Sequence, residues 1–227
     1  MAYLAHAMHA AGWTVLAPRL PGHGVRLPEM ARASRAPSWR DAVAEGYASL
    51  TATHSTVVVC GQSMGGALAT LLAADHPEMS ALVLLAPFLG MPRAMQWRIA
   101  TAWLLEFATP YHVGSGGERS LHDPEAKAQS LNPGVITART MTELRTVARA
   151  AEAALPQLSV PTLYLQSRDD NRIAPESAER HFAAIASRDK VFHWLTGCGH
   201  IISADYSREE VAREVIAWCG ARAGSVA

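Results

Sequence analysis

The sequence predicts an α/β fold, in which a mainly parallel β-sheet is flanked by helices and interrupted by an inserted helical cap. Short, continuous apolar runs alternate with helical patterns, which is typical of parallel strands buried on both faces. The alternation stops at Pro87 and resumes at Pro161. We therefore expect a core made of residues 1–89 and 158–227 and a cap made of residues 90–157.

The chain before Pro87 is predicted to alternate between helices and strands. Apolar side chains spaced three and four residues apart predict the helices, over 3–11, from Ser38 onwards and over 64–74. Ser38 and Asp41 have the spacing of a capping box at the start of the second of these helices. Short apolar runs predict the strands, over 13–17, 57–60 and 81–86.

The chain after Pro87 is predicted to be mostly helical until the sheet resumes. The first cap helix, over about 95–107, is apolar on nearly every side, which fits either an ordinary buried helix or a lid that lines an acyl pocket. Strands are predicted over 162–166 and 191–195. The final helix is predicted to begin after Ser207, where Glu210 has the spacing of a second capping box.

Composition and charge exclude several classes of function. The 227 residues include 20 basic and 20 acidic side chains, so nothing favours nucleic acid or an anionic membrane surface as a partner. No apolar run reaches the length of a membrane span, and the first residues lack the pattern of a signal peptide. The three cysteines form neither a disulfide framework nor a zinc pattern, so a cytoplasmic location is expected.

A G-x-S-x-G turn follows the strand predicted over 57–60 and precedes a helix rich in small residues. Gly61 and Gly65 are expected to remove side chains where the strand and the helix crowd the turn. Ser63 would then be held in a strained conformation with its hydroxyl exposed, as in a nucleophile elbow. The amide of Met64, at the helix start, would donate to an oxyanion. The alternative interpretation is a glycine-rich turn with a bystander serine.

Polar residues also follow the last two predicted strands. Asp169 and Asp170 follow the strand over 162–166, and His200 lies in the loop after the last strand. Because the carboxyl ends of parallel strands meet at one edge of a sheet, we expect these side chains to lie near Ser63. A serine, a histidine base and a carboxylate that orients the histidine form a catalytic triad.

Four stretches of the sequence resemble a known superfamily, at 17–24, 61–66, 160–170 and 199–202. On these motifs, which span most of the chain outside the cap, the chain is similar to α/β-hydrolases. It most resembles bacterial carboxylesterases and monoacylglycerol lipase-like serine hydrolases. The family pattern places the triad acid three residues past the small residue that ends its strand, which favours Asp170 over Asp169.

The resemblance implies a serine esterase that uses Ser63, Asp170 and His200 and needs no cofactor or metal. Its expected partner is a small-molecule ester with a short to medium acyl chain, monoacylglycerols included, and the oligomeric state is left open. The alternatives are a thioesterase or C–C bond hydrolase that uses the same triad, or a ligand-binding homologue with impaired catalysis.

The chain differs from the family pattern at its start, where strands are expected before the first helix. One of those strands ends in a His-Gly loop that supplies the second oxyanion amide. In the family this strand lies between the counterparts of the 13–17 and 57–60 strands. Either the two strands pair directly, or a neighbouring chain fills the gap, or the native protein is longer, and we expect the last of these, a start placed too late or a fragment. Loss of one oxyanion donor lowers kcat by roughly 100- to 1000-fold.

Overall fold

The computed structural model describes residues 1–90, 111–113, 120–130 and 135–223. Its helices are α1 (Ala2–Ala10), α2 (Leu27–Ala33), α3 (Ala36–Thr51), α4 (Met64–Asp75), α5 (Pro124–Gln129), α6 (Ala138–Ala154), α7 (Pro175–Ala184) and α8 (Arg208–Ala223). Its strands are β1 (Val58–Gln62), β2 (Ala81–Leu85), β3 (Tyr111–Val113), β4 (Val135–Thr137), β5 (Thr162–Ser167) and β6 (Lys190–Leu195). The helix predicted over 95–107 lies outside the described residues.

The main sheet has four strands in the order β1-β2-β5-β6, and every neighbouring pair is parallel. All five residues of β2 are 0% exposed, because alternate side chains of this strand enter two different cores. Leu82 and Leu84 belong to a cluster with α3, α4 and α6. Val83 and Leu85 belong to a cluster with α1 and α8. The prediction of a parallel sheet covered on both faces is confirmed.

The strand predicted over 13–17 is wrong, because this segment pairs with no strand in the described residues. Val15 and Leu16 are 41% and 46% exposed rather than buried. The segment faces β1 across a cavity of about 560 Å³ that both of them line. An extended segment becomes a strand only when a neighbour bonds its backbone groups, and the cavity keeps the two apart. Of the three alternatives for these two segments, direct pairing is therefore the one that the structure contradicts.

Both predicted capping boxes are wrong, although a helix lies at each place. α3 begins at Ala36, two residues before Ser38, and makes no side-chain cap bond. Its first amide is bonded instead by the Glu143 carboxylate, at 2.9 Å. At the start of α8, Ser207 donates its hydroxyl to a carbonyl, and the Glu210 carboxylate lies 3.1 Å from the His193 imidazole. Tertiary partners compete with the local cap in both cases.

The described part of residues 90–157 contains both strands and helices. β3 and β4 form a separate two-stranded antiparallel sheet, which helical spacing did not predict. α6 packs against the central part of the molecule, since Val147 and Ala151 belong to the same core cluster as α4 and the sheet. Residues 138–157 therefore lie on the core rather than apart from it.

Candidate active site

The turn between β1 and α4 holds Ser63 in a conformation that residues other than glycine rarely adopt, with φ of 53° and ψ of −119°. Two backbone hydrogen bonds fix it there. The Ser63 amide donates to the Leu85 carbonyl at 3.0 Å, and the Ser63 carbonyl accepts from the Phe88 amide at 2.9 Å. The loop after β2 therefore holds the turn, and the strain resides at the residue predicted to react.

Glycine is required at two positions around this turn. A Cβ atom on Gly61 would overlap the Gly65 carbonyl group, so the helix backbone approaches the strand too closely for any side chain. A Cβ atom on Gly66 would lie 2.7 Å from the Cβ of Pro87. A Cβ atom on Gly65 would meet nothing within 4 Å. The predicted crowding is therefore correct for Gly61, but its second position is Gly66 rather than Gly65.

The three predicted side chains lie in one hydrogen-bonded chain. His200 Nε2 lies 2.8 Å from Ser63 Oγ, and His200 Nδ1 lies 2.8 Å from Asp170 Oδ2. Because an ionised carboxylate only accepts hydrogen bonds, Nδ1 holds the proton and donates it toward Asp170. In the neutral imidazole, Nε2 is then free to accept the Ser63 hydroxyl proton. The arrangement can thus deprotonate an alcohol.

The Asp170 carboxylate is fully buried and accepts four hydrogen bonds. Oδ1 accepts from the amides of Arg172 and Ile173, at 2.7 and 3.0 Å. Oδ2 accepts from the Gln166 side-chain amide at 2.7 Å as well as from His200. Burial alone would raise the pKa of Asp170, but the bonds from His200 and the two backbone amides outweigh it and lower that pKa. Asp170 is therefore ionised at neutral pH.

The neighbouring Asp169 does not contact the histidine side chain. Its carboxylate accepts from the Gly197 amide at 2.7 Å, which ties the loop after β5 to the loop after β6. Of the two aspartates that the sequence offers, the structure thus brings Asp170 to His200. Asp169 only joins the two loops.

Met64 is the first residue of α4, and its amide has no acceptor within the helix because it lies in the first turn. Ser63 and Met64 both line the cavity of about 560 Å³ between β1 and the 13–17 segment. Apolar side chains form most of the cavity wall, among them Leu16, Leu20 and Val59. The first turn of α4 and the reactive hydroxyl therefore share one apolar space.

Two buried polar residues near the triad were missed from the sequence. The Gln166 side-chain amide donates to the Asp170 carboxylate at 2.7 Å. The Asp205 carboxylate accepts from the amide of Gly199, next to His200, at 2.7 Å. The sequence predicts Gln166 to be an ordinary strand residue and Asp205 to be a turn residue before the last helix. No local pattern distinguishes either of them, although Asp170 is only four residues from Gln166 and Gly199 only six residues from Asp205.

Neither a cluster of side chains suited to bind a metal nor a membrane-spanning helix is found in the part of the chain that the structure describes. No group of three or more His, Cys, Asp or Glu side chains among those residues is placed to hold a metal ion. None of the described helices combines the length and the apolar character needed to cross a bilayer.

The fold and the site together define a class of protein. A strained serine follows one parallel strand, and an aspartate and a histidine follow two later strands of the same sheet. This is the arrangement of the α/β-hydrolase fold, in the chain order serine, acid, histidine.

Comparison with known proteins agrees with this class. The chain belongs to the Hydrolase_4 family, described as serine aminopeptidase, S33, which matches residues 1–206. It is 28% identical to the thermostable monoacylglycerol lipase of Bacillus sp. (strain H-257), over 97% of this chain and 85% of the relative. It is 24% identical to a carboxylesterase of Bacillus subtilis (strain 168), over 93% of this chain and 83% of the relative.

Solved structures give the same result for the fold. A structure reported for LipS and LipT, two metagenome-derived lipolytic enzymes, superimposes with a TM-score of 0.85 at 27% identity, over 96% of this chain and 86% of that one. The monoacylglycerol lipase of Paleococcus ferrophilus superimposes with a TM-score of 0.80 at 22% identity, over 96% and 88% of the two chains. The second likeness concerns the fold alone.

Proposed function

We propose that this protein hydrolyses carboxylic esters with short to medium acyl chains, monoacylglycerols included, through an acyl-enzyme on Ser63. The observation that carries the proposal is the continuous hydrogen-bonded chain from Ser63 through His200 to Asp170, with both distances at 2.8 Å. The names of the bacterial relatives, a monoacylglycerol lipase and a carboxylesterase, support an ester as the scissile group.

In the proposed reaction, Ser63 Oγ attacks the ester carbonyl carbon while His200 Nε2 takes the hydroxyl proton. The oxyanion that forms accepts a hydrogen bond from the Met64 amide. The bond to the alcohol then breaks, and His200 returns the proton to the leaving oxygen. Water attacks the acyl-enzyme by the same sequence, with His200 again as the base, and the carboxylic acid is released. Asp170 stabilises the imidazolium in both halves of the reaction.

The family description alone does not decide the substrate, since it names a peptidase, whereas the relatives are an esterase and a lipase. Those relatives favour ester hydrolysis over a thioesterase, a C–C bond hydrolase or a non-catalytic binding protein.

Two further proposals concern the cap and the cellular location. We place the cap within residues 90–137, a narrower range than the predicted 90–157, because α6 packs on the core. We also propose a reducing cytoplasmic location. It is supported by three thiols, Cys60, Cys198 and Cys219, all of which are free.

Turnover of p-nitrophenyl esters of increasing chain length, with a serine-directed phosphonate as an active-site titrant, tests the proposed function. We expect hydrolysis that peaks at a short or medium chain, and one phosphonate adduct, located on Ser63. The Ser63→Ala variant is expected to lose both while keeping its unfolding midpoint. The matched control is Ser49→Ala, because Ser49 is exposed on α3 and its hydroxyl donates to the Gly46 carbonyl of the same helix. Turnover that survives in Ser63→Ala would show that another group is the nucleophile.

A further inference from the structure

Asp205 is fully buried in the loop that joins β6 to α8, and its carboxylate is surrounded by backbone amides. Oδ2 accepts from the amides of Gly199 and His122, at 2.7 and 2.9 Å. Oδ1 accepts from the amides of Asp123 and Tyr206, at 2.8 and 3.0 Å. Each oxygen therefore receives two donors, so both acceptor positions of each oxygen are used.

These donors come from two parts of the chain that are distant in sequence. Gly199 and Tyr206 belong to the loop after β6, whereas His122 and Asp123 lie in the segment 120–123, which leads from the inserted region into α5. The carboxylate therefore joins the loop after β6 to this segment. A neutral side chain could not satisfy four converging N–H groups, so the charge itself is required.

Asp205 and the segment 120–123 together bond the backbone on the two sides of the triad histidine. On one side, the Gly199 amide is held by Asp205. On the other side, the Ile201 amide donates to the Ser120 carbonyl at 2.9 Å. The backbone of His200 is thus fixed between two anchors, and Asp205 connects both of them through residues 120–123. The imidazole must lie within hydrogen-bond distance of Ser63 Oγ, so the position of this backbone matters for proton transfer.

Asp205 remains ionised in this environment at neutral pH. Burial alone would raise its pKa, but the four amide donors outweigh burial and hold the pKa below its ordinary value. Backbone amides therefore take the place of a counter-ion.

We propose that Asp205 is a positioning residue for the reaction at Ser63, acting through the backbone on either side of His200. This inference rests on the proposed function. Asp205 touches neither the substrate nor the reacting atoms. It sets where the imidazole lies by fastening the loop after β6 to residues 120–123. The inserted region is thereby coupled to the catalytic base.

The test compares Asp205→Asn with Asp189→Asn. The first variant keeps the size of the side chain but turns an NH₂ group toward two of the four amide donors. The second makes the same chemical change at a half-exposed carboxylate whose side chain contacts Arg222, away from the triad. We expect Asp205→Asn to lower kcat per phosphonate-titrated site by about 10- to 100-fold with KM changed less than about threefold, the cost of a small misplacement. Asp189→Asn is expected to stay within about twofold of the wild type.

A spectroscopic measurement separates positioning from simple loss of folded protein. The proton shared between His200 Nδ1 and Asp170 gives a downfield NMR resonance, which we expect to shift or broaden in Asp205→Asn and to persist in Asp189→Asn. If Asp205→Asn does not fold, Asp205→Glu keeps the charge but adds one methylene, and the same fall in kcat is expected. An unchanged kcat per titrated site, or an unchanged resonance, would overturn the proposal. Absence of both turnover and adduct in the wild type would instead refute the proposed function.

Discussion

Replacing Gly66 by alanine tests how the serine turn is held in place. The new Cβ would lie 2.7 Å from the Pro87 Cβ and 2.9 Å from the Pro87 Cα. Carbon atoms in ordinary contact lie about 3.5–4.0 Å apart, so the loop after β2 must retreat by about 1 Å. Overpacking of this kind costs about 1–3 kcal/mol. The loop cannot move alone, because the Phe88 amide holds the Ser63 carbonyl.

The neighbouring Gly65 provides a matched control. A Cβ there would meet nothing within 4 Å, and both glycines lie in the first turn of α4. Gly65→Ala and Gly66→Ala therefore gain a similar increment of helix propensity, up to about 1 kcal/mol, and only Gly66→Ala adds the clash. The difference between the two variants isolates the overpacking energy.

Urea unfolding followed by circular dichroism measures this difference. We expect the midpoint of Gly66→Ala to lie below that of Gly65→Ala by on the order of 1 M, given slopes of about 1–3 kcal/mol per molar urea. Phosphonate labelling of Ser63 is expected to slow in Gly66→Ala as well. Equal midpoints for the two variants would refute the reasoning, since Pro87 would then move without cost and Gly66 would not be required.

Two further predictions concern the aspartates of the site. Asp170→Asn should lower kcat by about 10,000-fold because the imidazole loses the acceptor that fixes its tautomer. Asp169→Asn should cost less than about tenfold, since the Asp169 carboxylate accepts from the Gly197 amide and not from His200, and similar losses in the two variants would contradict the assignment. The lowered pKa values of Asp170 and Asp205 give the second prediction. The two ionised carboxylates stabilise the fold fully above about pH 4, and this stabilisation is lost as the pH falls through their folded-state pKa values. Urea unfolding from pH 6 to pH 3 should show this loss as a fall in the free energy of unfolding. The fall should be less steep in Asp205→Asn than in the wild type. An equal decline would contradict it.

Much of the fold was predictable because the sequence patterns that indicate it extend over only a few residues. The run of β2 is apolar at every position, which occurs when a strand is buried on both faces, and both β2 and β5 are parallel and buried throughout. The nucleophile turn was recognisable because strand, glycine, serine and helix follow one another within a few residues. The segment 13–17 has the same apolar composition as a strand, yet it forms none. Its state depends on a neighbour that no local pattern can specify.

The side chains of the candidate triad were predictable from the sequence, but the residues that hold them in place were not. Ser63 and His200 each follow a strand, so the rule that parallel strands end at one edge was enough to bring them together. The same rule offered both Asp169 and Asp170, and only the family pattern favoured Asp170. Asp205 gives no such signal, because two of its four donors lie 82 and 83 residues earlier in the chain.

The sequence by itself determined the order of the elements, the parallel sheet and the three side chains that meet at its edge. These properties follow from periodicity and strand order, which act over short stretches of chain, and from the family pattern that favoured Asp170 over Asp169. Only the tertiary structure decided that Val15 and Leu16 stay exposed, that Gly66 rather than Gly65 is crowded, and that a buried carboxylate fastens the histidine loop. Each of these depends on atoms brought close by folding from distant parts of the chain, and such distances are not contained in local spacing.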